Sequence, residues 1–528
     1  MYIAMHRTKC QEKTRARPEF CAKPVRQLKE VACYSRSMSS SAGVAARMNA
    51  AEMRLAAQRR DTKMMVWGIV GLGALLRLRS LSAKSFWLDE IASTVIARMP
   101  GNFFWHWLWT QEGNMALYYV MLRPWLGIHM GEGTVRLLSV LPGVASLPVI
   151  YLLGKRLFGR SVGLLASLFL ALSTCAVVYS QEARGYSWLL FGVIVSTYFF
   201  VRLIEQPTCA IACAYGLAVG ITFYFHYFGL LVPLAHAVSL FALPKEKRSW
   251  KHLIVASAII GVFALPVLWM IHIQPARHLD WVAKPSLLEL YHLGVFLAAE
   301  SGKGVGPALL VVELILLVVF FRAMIAQRRR AEPDRDLFPY ALVASGLLTP
   351  IVFSLLVSTV RPVFFHRFLI ICLPAWLLAV AAAICTLSPR RIAMLAVAGV
   401  CVLSLVSTVL SYSRMREDWR GAVNFLIDNA RSQDVVLYYQ SVGGWAAESY
   451  RDWLPGGGAN RPTAVRVEPQ SKDWRAKLGA AKRIWLVEYP ATLSDETSRA
   501  LEAELHSRYT AAAEQQYRAV TVTEFVAK

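Results

Sequence analysis

Met64-Met65-Val66-Trp67-Gly68-Ile69-Val70-Gly71-Leu72-Gly73-Ala74-Leu75-Leu76-Arg77-Leu78-Arg79-Ser80-Leu81 is long and apolar enough to cross a bilayer, and Trp87-Leu88-Asp89-Glu90 follows within a few residues. A spanning helix needs about 20 mostly apolar residues. Runs near that length recur over 137–153, 162–179, 186–204, 209–225, 228–243, 254–273, 307–321, 337–360, 368–385 and 392–412. The reading is a multispanning α-helical membrane protein of about eleven spans. Composition agrees. Of 528 residues 56% are hydrophobic and 17% charged, against about 25% charged in ordinary soluble domains.

The net charge of +23 sits mostly in the N-terminal tail and in short loops, which reads as membrane orientation and not as a nucleic-acid surface. With the tail inside, the even-numbered spans end at Lys155, Arg156 and Arg160, at Arg202, at Lys245, Lys247, Arg248 and Lys251, at Arg328, Arg329 and Arg330, and at Arg390 and Arg391. Every inward turn is therefore basic. Residues 1–63 are basic, lack the apolar core of a signal peptide and are expected to be disordered. Residues 64–412 form the membrane domain. Residues 413–528 change character: helical spacing over 422–427, strands over 435–439 and 484–489 and a helix near 501–505 predict a small α/β domain. An odd number of spans places it outside. Cys10, Cys21 and Cys33 lie in the tail and the other six cysteines in apolar runs, so no disulfide framework is expected.

The first outer loop, 82–133, carries Phe86, Trp87, Phe103, Phe104, Trp105, Trp107 and Trp109, which suits helices lying in the interface. Asp89 and Glu90 at membrane depth want a partner or a task; the plainer reading is a solvated pair at a helix start. Glu112 to Tyr119, with Asn114 and Tyr118, turns straight into an apolar stretch. Gln181, Glu182, Arg184 and Tyr186 close the third span, and Glu182 and Arg184 are too near in sequence to share a helix face, so they reach different partners. His226 and Tyr227 stand between the fifth and sixth spans, and Arg361, His366 and Arg367 between the ninth and tenth. Taken singly these are a cap, an interfacial pair or a snorkelling arginine. Under this topology all fall on one face, which structural accidents would not favour. Carboxylates beside cations suit group transfer from a lipid-linked phosphate: the carboxylate takes the proton of the attacking hydroxyl, and arginine or a metal offsets charge on the leaving phosphate. Asp334-Arg335-Asp336 lies in a short Arg-rich loop and Gly302-Lys303-Gly304 lacks phosphate-loop spacing, so neither is a site.

At these residues the sequence resembles the multispanning C-type (GT-C) glycosyltransferases, in the bacterial branch of the dolichyl-phosphate-mannose protein mannosyltransferase family, which also holds aminoarabinose and galacturonic acid transferases. The stretches that carry the resemblance are Trp87 to Glu90, Glu112 to Tyr119, Arg136 to Gly143, Tyr151 to Gly159, Ser180 to Tyr186 and Pro362 to Leu369. It implies a polyprenyl-phosphate sugar as donor, inversion at the anomeric carbon, and Asp89 as catalytic base with Glu90 as support or alternate. It also implies Arg184, Arg367 or Arg361 on the donor phosphate and Glu112, Asn114, Tyr118, Gln181, Glu182, Tyr186, His226, Tyr227 and His366 around the pocket. Asn114-Met115-Ala116 departs from the family's usual His-Pro-Pro or Asn-Pro-Pro. A divalent metal is compatible with the fold, but no His/Asp spacing here settles its use. The resemblance and the topology together imply a protein, lipid or envelope-glycan acceptor, and a bacterial inner membrane with the C-terminus periplasmic. The competing reading is a transporter or lipid flippase, which would carry its polar residues near mid-span. Here they gather at the outer ends.

Overall fold

The computed structural model describes residues 57–129, 131–274, 281–329, 337–439, 441–458, 461–467, 478, 481–489 and 496–528. Residues 1–56, which include the three tail cysteines, and the Asp334-Arg335-Asp336 string lie outside the described residues. Compactness divides the chain into Met1–Met65 and Val66–Lys528. In the first unit the described residues, 57–65, are helical; all that follows concerns the second.

Each of the eleven apolar stretches is helical. Length separates them, however. Among the described residues seven helices are long and apolar enough to cross a bilayer: Glu132–Phe158, Tyr186–Glu205, Trp250–Ile273, Gly306–Arg329, Phe338–Ser358, His366–Thr386 and Arg390–Ser411. The pair Arg160–Leu172 and Thr174–Ser180, bent by 56°, makes an eighth if counted as one span. The bend follows from Ser173, whose Oγ accepts the Ala176 N–H and so starts a new helix within the apolar run. Cys209–Phe223 and Tyr227–Ala242 are shorter apolar helices, and Leu287–Ala299 is another that hydropathy did not single out. The count of eleven therefore does not follow from helix length.

His366–Thr386 is the centre of the bundle, with 89% of its apolar window buried against 17% for Trp250–Ile273. Ile254, Val262, Leu265 and Trp269 on the latter are exposed, an apolar belt of the kind lipid covers. Helices Glu132–Phe158 and Arg160–Leu172 come into backbone contact at Gly154, where an added Cβ would lie 2.9 Å from the Gly163 Cα. The loop after the first helix folds into three short helices, Leu88–Arg98, Gly101–Thr110 and Ala116–Trp125. Phe103, Trp105 and Trp109 stay exposed while Phe86 and Phe104 are buried, as an interfacial placement requires.

Beyond the last membrane helix lies a five-stranded sheet: β1 Val435–Tyr439, β2 Thr463–Val467, β3 Arg483–Glu488, β4 Tyr509–Tyr517 and β5 Val520–Ala527, in the order β2-β1-β3-β5-β4. β1 is parallel to β2 and β3, while β5 is antiparallel to β3 and β4. β1 is buried at every residue because both faces are covered. Leu437 and Ile484 share one core with Leu501 and Leu505 of helix Glu496–Arg508; Val436, Tyr438 and Trp485 belong to the core that includes the membrane helices. No compactness boundary separates 413–528 from the bundle.

Candidate active site

Asp89 and Glu90 open helix Leu88–Arg98, where carboxylates favour the partial positive charge of the helix start. Consecutive residues on a helix face different ways, and here they meet different fates. Glu90 is 1% exposed. Arg136 binds it in two places, Nε to Oε1 at 2.8 Å and Nη2 to Oε2 at 2.7 Å, and the Ala183 N–H donates to Oε1 at 2.8 Å. Arg136 spends its remaining donors on the Leu81, Lys84 and Ser85 carbonyls. Glu90 is thereby a cross-link between loop, helix and the Gln181–Arg184 turn.

Asp89 keeps its carboxylate open, its side chain 35% exposed and 3.8 Å from Arg367 Nη1. Arg184 comes from another side: its Nη1 lies 3.5 Å from the Asp89 carbonyl and from Ser93 Oγ, and 3.3 Å from the Tyr119 hydroxyl. The Arg184 backbone carbonyl accepts the Ser139 hydroxyl at 3.1 Å, and the Ser139 oxygen lies 3.4 Å from the Tyr118 hydroxyl. Arg367 further stacks on Trp87 at 4.9 Å. The open carboxylate thus faces one guanidinium, while a second, Arg184, lies against the same residue's backbone carbonyl.

Of the other expected residues, Glu182 pairs with Arg416 at 2.6 Å, so Glu182 and Arg184 do reach different partners. Gln181 donates to the Arg77 and Arg79 carbonyls and holds the end of the first helix. Asn114 accepts the Tyr227 N–H, and Tyr227 donates to Gln274. Gly113 is where these parts touch: a Cβ there would meet Tyr227 Oη at 2.4 Å. Met115 adopts a left-handed φ of 68°, uncommon away from glycine. His226 Nδ1 caps the next turn by accepting the Phe228 N–H, and burial, helped by Arg184, holds the ring down at about 3 and neutral. Tyr186 is buried against Tyr179, His366 packs on Phe296, and Arg361 stands exposed beyond Ser358.

Burial pushes the Glu112 carboxyl up to about 7, Arg184 opposes that and Asp89 adds to it. A carboxyl raised on folding takes up a proton that the unfolded chain has already lost. Stability therefore falls as pH rises through the window from 4.5 to about 7. The Glu112→Gln variant is expected to lose that dependence, so thermal unfolding at about pH 5 and about pH 8 will show the wild-type midpoint dropping further than the variant's.

Sequence reading gave no site role to Arg136, which opens one of the stretches that carry the resemblance, and passed over Lys84, Glu300, Arg416 and Glu417. The run Arg414-Met415-Arg416-Glu417-Asp418 directly after the last span was the available signal. Glu417 accepts the Leu88 N–H at 2.9 Å, Trp419 Nε1 at 2.6 Å and the Tyr489 hydroxyl at 2.6 Å. Arg420 donates to the Ser82 and Ala83 carbonyls, and Phe86 packs edge-on against Trp453 at 5.2 Å. The C-terminal domain thus grips the residues that precede Asp89. Glu417→Ala leaves three donors unpaired at roughly 1 to 3 kcal/mol each, so its unfolding midpoint in detergent is expected to fall clearly below wild type.

Among the described residues no group of three His, Cys, Asp or Glu side chains is placed to hold a metal ion. The Asp89 carboxylate lies 3.8 Å from Arg367, and no step is assigned to a metal.

Residues 119–271 match the family model described as dolichyl-phosphate-mannose-protein mannosyltransferase. A stretch of 178 residues is 28% identical to the lipid A galacturonosyltransferase RgtD of Rhizobium johnstonii, covering 31% of this chain and 36% of that relative. The chain thus matches about a third of the relative's length. In structure it resembles ArnT from Cupriavidus metallidurans in the apo state (TM-score 0.58, 13% identity, 87% of this chain and 97% of that one). ArnT bound to undecaprenyl phosphate gives the same score at 14% identity, with the same coverage. The Archaeoglobus fulgidus oligosaccharyltransferase tethered with an acceptor peptide gives 0.53 at 10% identity, over 88% of this chain and 74% of that one. The fold is GT-C, a multi-pass helical membrane bundle with a C-terminal sheet domain. The family-model match includes Glu182, Arg184, Tyr186 and His226; Asp89 precedes it and Arg367 follows it.

Proposed function

We propose that this chain is a glycosyltransferase that moves a sugar, mannose or another hexose or pentose, from a polyprenyl phosphate to a hydroxyl of a protein, lipid or envelope glycan. The observation that carries the reading is the open Asp89 carboxylate 3.8 Å from Arg367, with Arg184 against the same residue. Asp89 takes the proton from the acceptor hydroxyl. The oxygen attacks the anomeric carbon from the face opposite the phosphate, the carbon–oxygen bond to phosphate breaks, and the configuration inverts. Arg367 and Arg184 stabilise the charge that gathers on the departing polyprenyl phosphate. Glu90 and Arg136 position Asp89, and the Tyr119 hydroxyl holds Arg184. ArnT, which shares the fold, binds undecaprenyl phosphate, and this supports the donor class.

The basic turns at Lys155 and Arg390 support, through the positive-inside bias, a site and C-terminal domain on the periplasmic side of a bacterial inner membrane, with the N-terminus cytoplasmic. Membranes containing the protein, given a panel of radiolabelled polyprenyl-phosphate sugars and envelope extract, are expected to move label from one donor into one acceptor fraction. NMR of the product is expected to show the inverted anomer. A panel left wholly unconsumed overturns the reading.

A further inference from the structure

The Glu112 carboxyl has no part in the proton and phosphate chemistry assigned to Asp89, Arg367 and Arg184, yet it stands beside that chemistry. Three turns clasp one another there. The Asn114 side chain accepts the Tyr227 N–H at 3.0 Å, and the Leu117 N–H donates to the Tyr224 carbonyl at 3.0 Å. A Cβ on Gly185 would lie 2.9 Å from the Phe225 carbonyl oxygen and 3.3 Å from Met115 Cγ. The turn that carries Glu112 is therefore packed on the one that carries Arg184 and on the one that carries His226. Among the described residues the half-buried Glu112 carboxyl makes no hydrogen bond and no ion pair. The charged and titratable groups that feel it are Arg184, Asp89, Tyr119 and Tyr227.

Two buried N–H groups in the same turns are also unmatched. His226 Nδ1 accepts the Phe228 N–H at 3.2 Å, so the neutral ring carries its proton on Nε2, and that N–H has no acceptor. Arg184 Nε has none either. An unmatched buried N–H calls for an explanation, and a ligand oxygen supplies one. One open carboxyl and two N–H groups suit a sugar, whose hydroxyls both donate and accept. On the glycosyl-transfer reading, on which this inference rests, Arg184 faces the phosphate of the glycosyl donor. The sugar hangs directly from that phosphate, so side chains packed about Arg184 meet the donor's sugar and not the acceptor. We propose that Glu112 sets which sugar the donor carries: it accepts the hydroxyls of a neutral sugar and turns away a sugar that bears a carboxylate. Like charges in a half-buried pocket repel, and the nearby cations are committed, Arg367 to the Asp89 carboxylate at 3.8 Å and Arg184 to the phosphate. The relative from Rhizobium johnstonii is a galacturonosyltransferase, and its sugar is such an acid; the proposal sets this chain apart from it.

Binding tests this without transfer. The full chain in phosphatidylcholine nanodiscs is loaded with radiolabelled undecaprenyl phosphate. Unlabelled undecaprenyl phosphate glucose and undecaprenyl phosphate glucuronate, which differ only at C6, are then titrated against it separately. At about pH 8 half-displacement is expected to need roughly tenfold more of the glucuronate, or higher, the scale of a like-charge contact at a partly buried site. Burial holds the Glu112 carboxyl up at about 7, so at about pH 6 it is mostly neutral and the gap is expected to narrow to roughly threefold or less. In Glu112→Gln the gap should be small at both pH values. A structural role alone would weaken both lipids alike and leave their ratio unchanged, and the wild-type pH dependence is informative even if the variant folds poorly. The proposal is overturned if the wild type binds both lipids equally at the higher pH, if it prefers the glucuronate, or if Glu112→Gln keeps the wild-type ratio. A wild type that retains no undecaprenyl phosphate would overturn the donor reading along with this proposal, whereas equal binding of the two sugars overturns this proposal alone.

Discussion

Asp89→Asn will abolish most of the transfer activity, lowering kcat by roughly 10² to 10⁴ while the apparent KM for the lipid-linked donor stays within a few-fold of wild type. The amide keeps the shape of the side chain and its place at the start of helix Leu88–Arg98. It cannot take the proton. Asp89→Glu keeps the base but moves it relative to Arg367 and Arg184 and is expected to fall between the two. Arg367→Gln should act differently, raising donor KM as well as lowering kcat, because its charge meets the phosphate. Steady-state kinetics on the three variants separates base from phosphate clamp.

Arg136→Met is expected to destabilise the fold by about 3 to 5 kcal/mol, the usual consequence of leaving a buried charge without its partner. Glu90 would then sit 1% exposed with only N–H donors, and the Leu81, Lys84 and Ser85 carbonyls would lose theirs. Thermal unfolding in detergent measures the loss. Glu90→Gln combined with Arg136→Met should recover part of it, since no lone charge remains. If Arg136→Met unfolds at the wild-type temperature, the pair does not cross-link the loop as the distances imply.

Hydropathy alone located eleven of the apolar helical stretches, because each such run had to become a helix in a bilayer, and it missed Leu287–Ala299. It could not tell a full crossing from Cys209–Phe223, nor foresee the bend at Ser173, where a single hydroxyl ends one helix and starts another. Alternation and apolar density were enough for β1, whose observed range is the expected one, while the β4–β5 hairpin went unread: β4 is exposed along most of its length and shows no apolar pattern. At the site, topology expected Asp89, Arg184 and Arg367 on one face, and the structure brings the three together. The assignments within that set needed coordinates. Glu90 and Arg136 are 46 residues apart and Leu88 and Glu417 are 329 apart, and no local spacing encodes such pairs. His226 and Asn114, expected around the pocket, serve as a cap and a backbone acceptor in the structure.

The proposed transfer consumes lipid-linked sugar at Asp89. Its most direct test follows two products in one tube, the sugar that enters the acceptor and the polyprenyl phosphate released, for wild type and Asp89→Asn side by side. The expected result is one polyprenyl phosphate for each sugar transferred by the wild type and a trace of both with the variant. Transfer by Asp89→Asn at the wild-type rate, or donor left intact by the wild type, would contradict it.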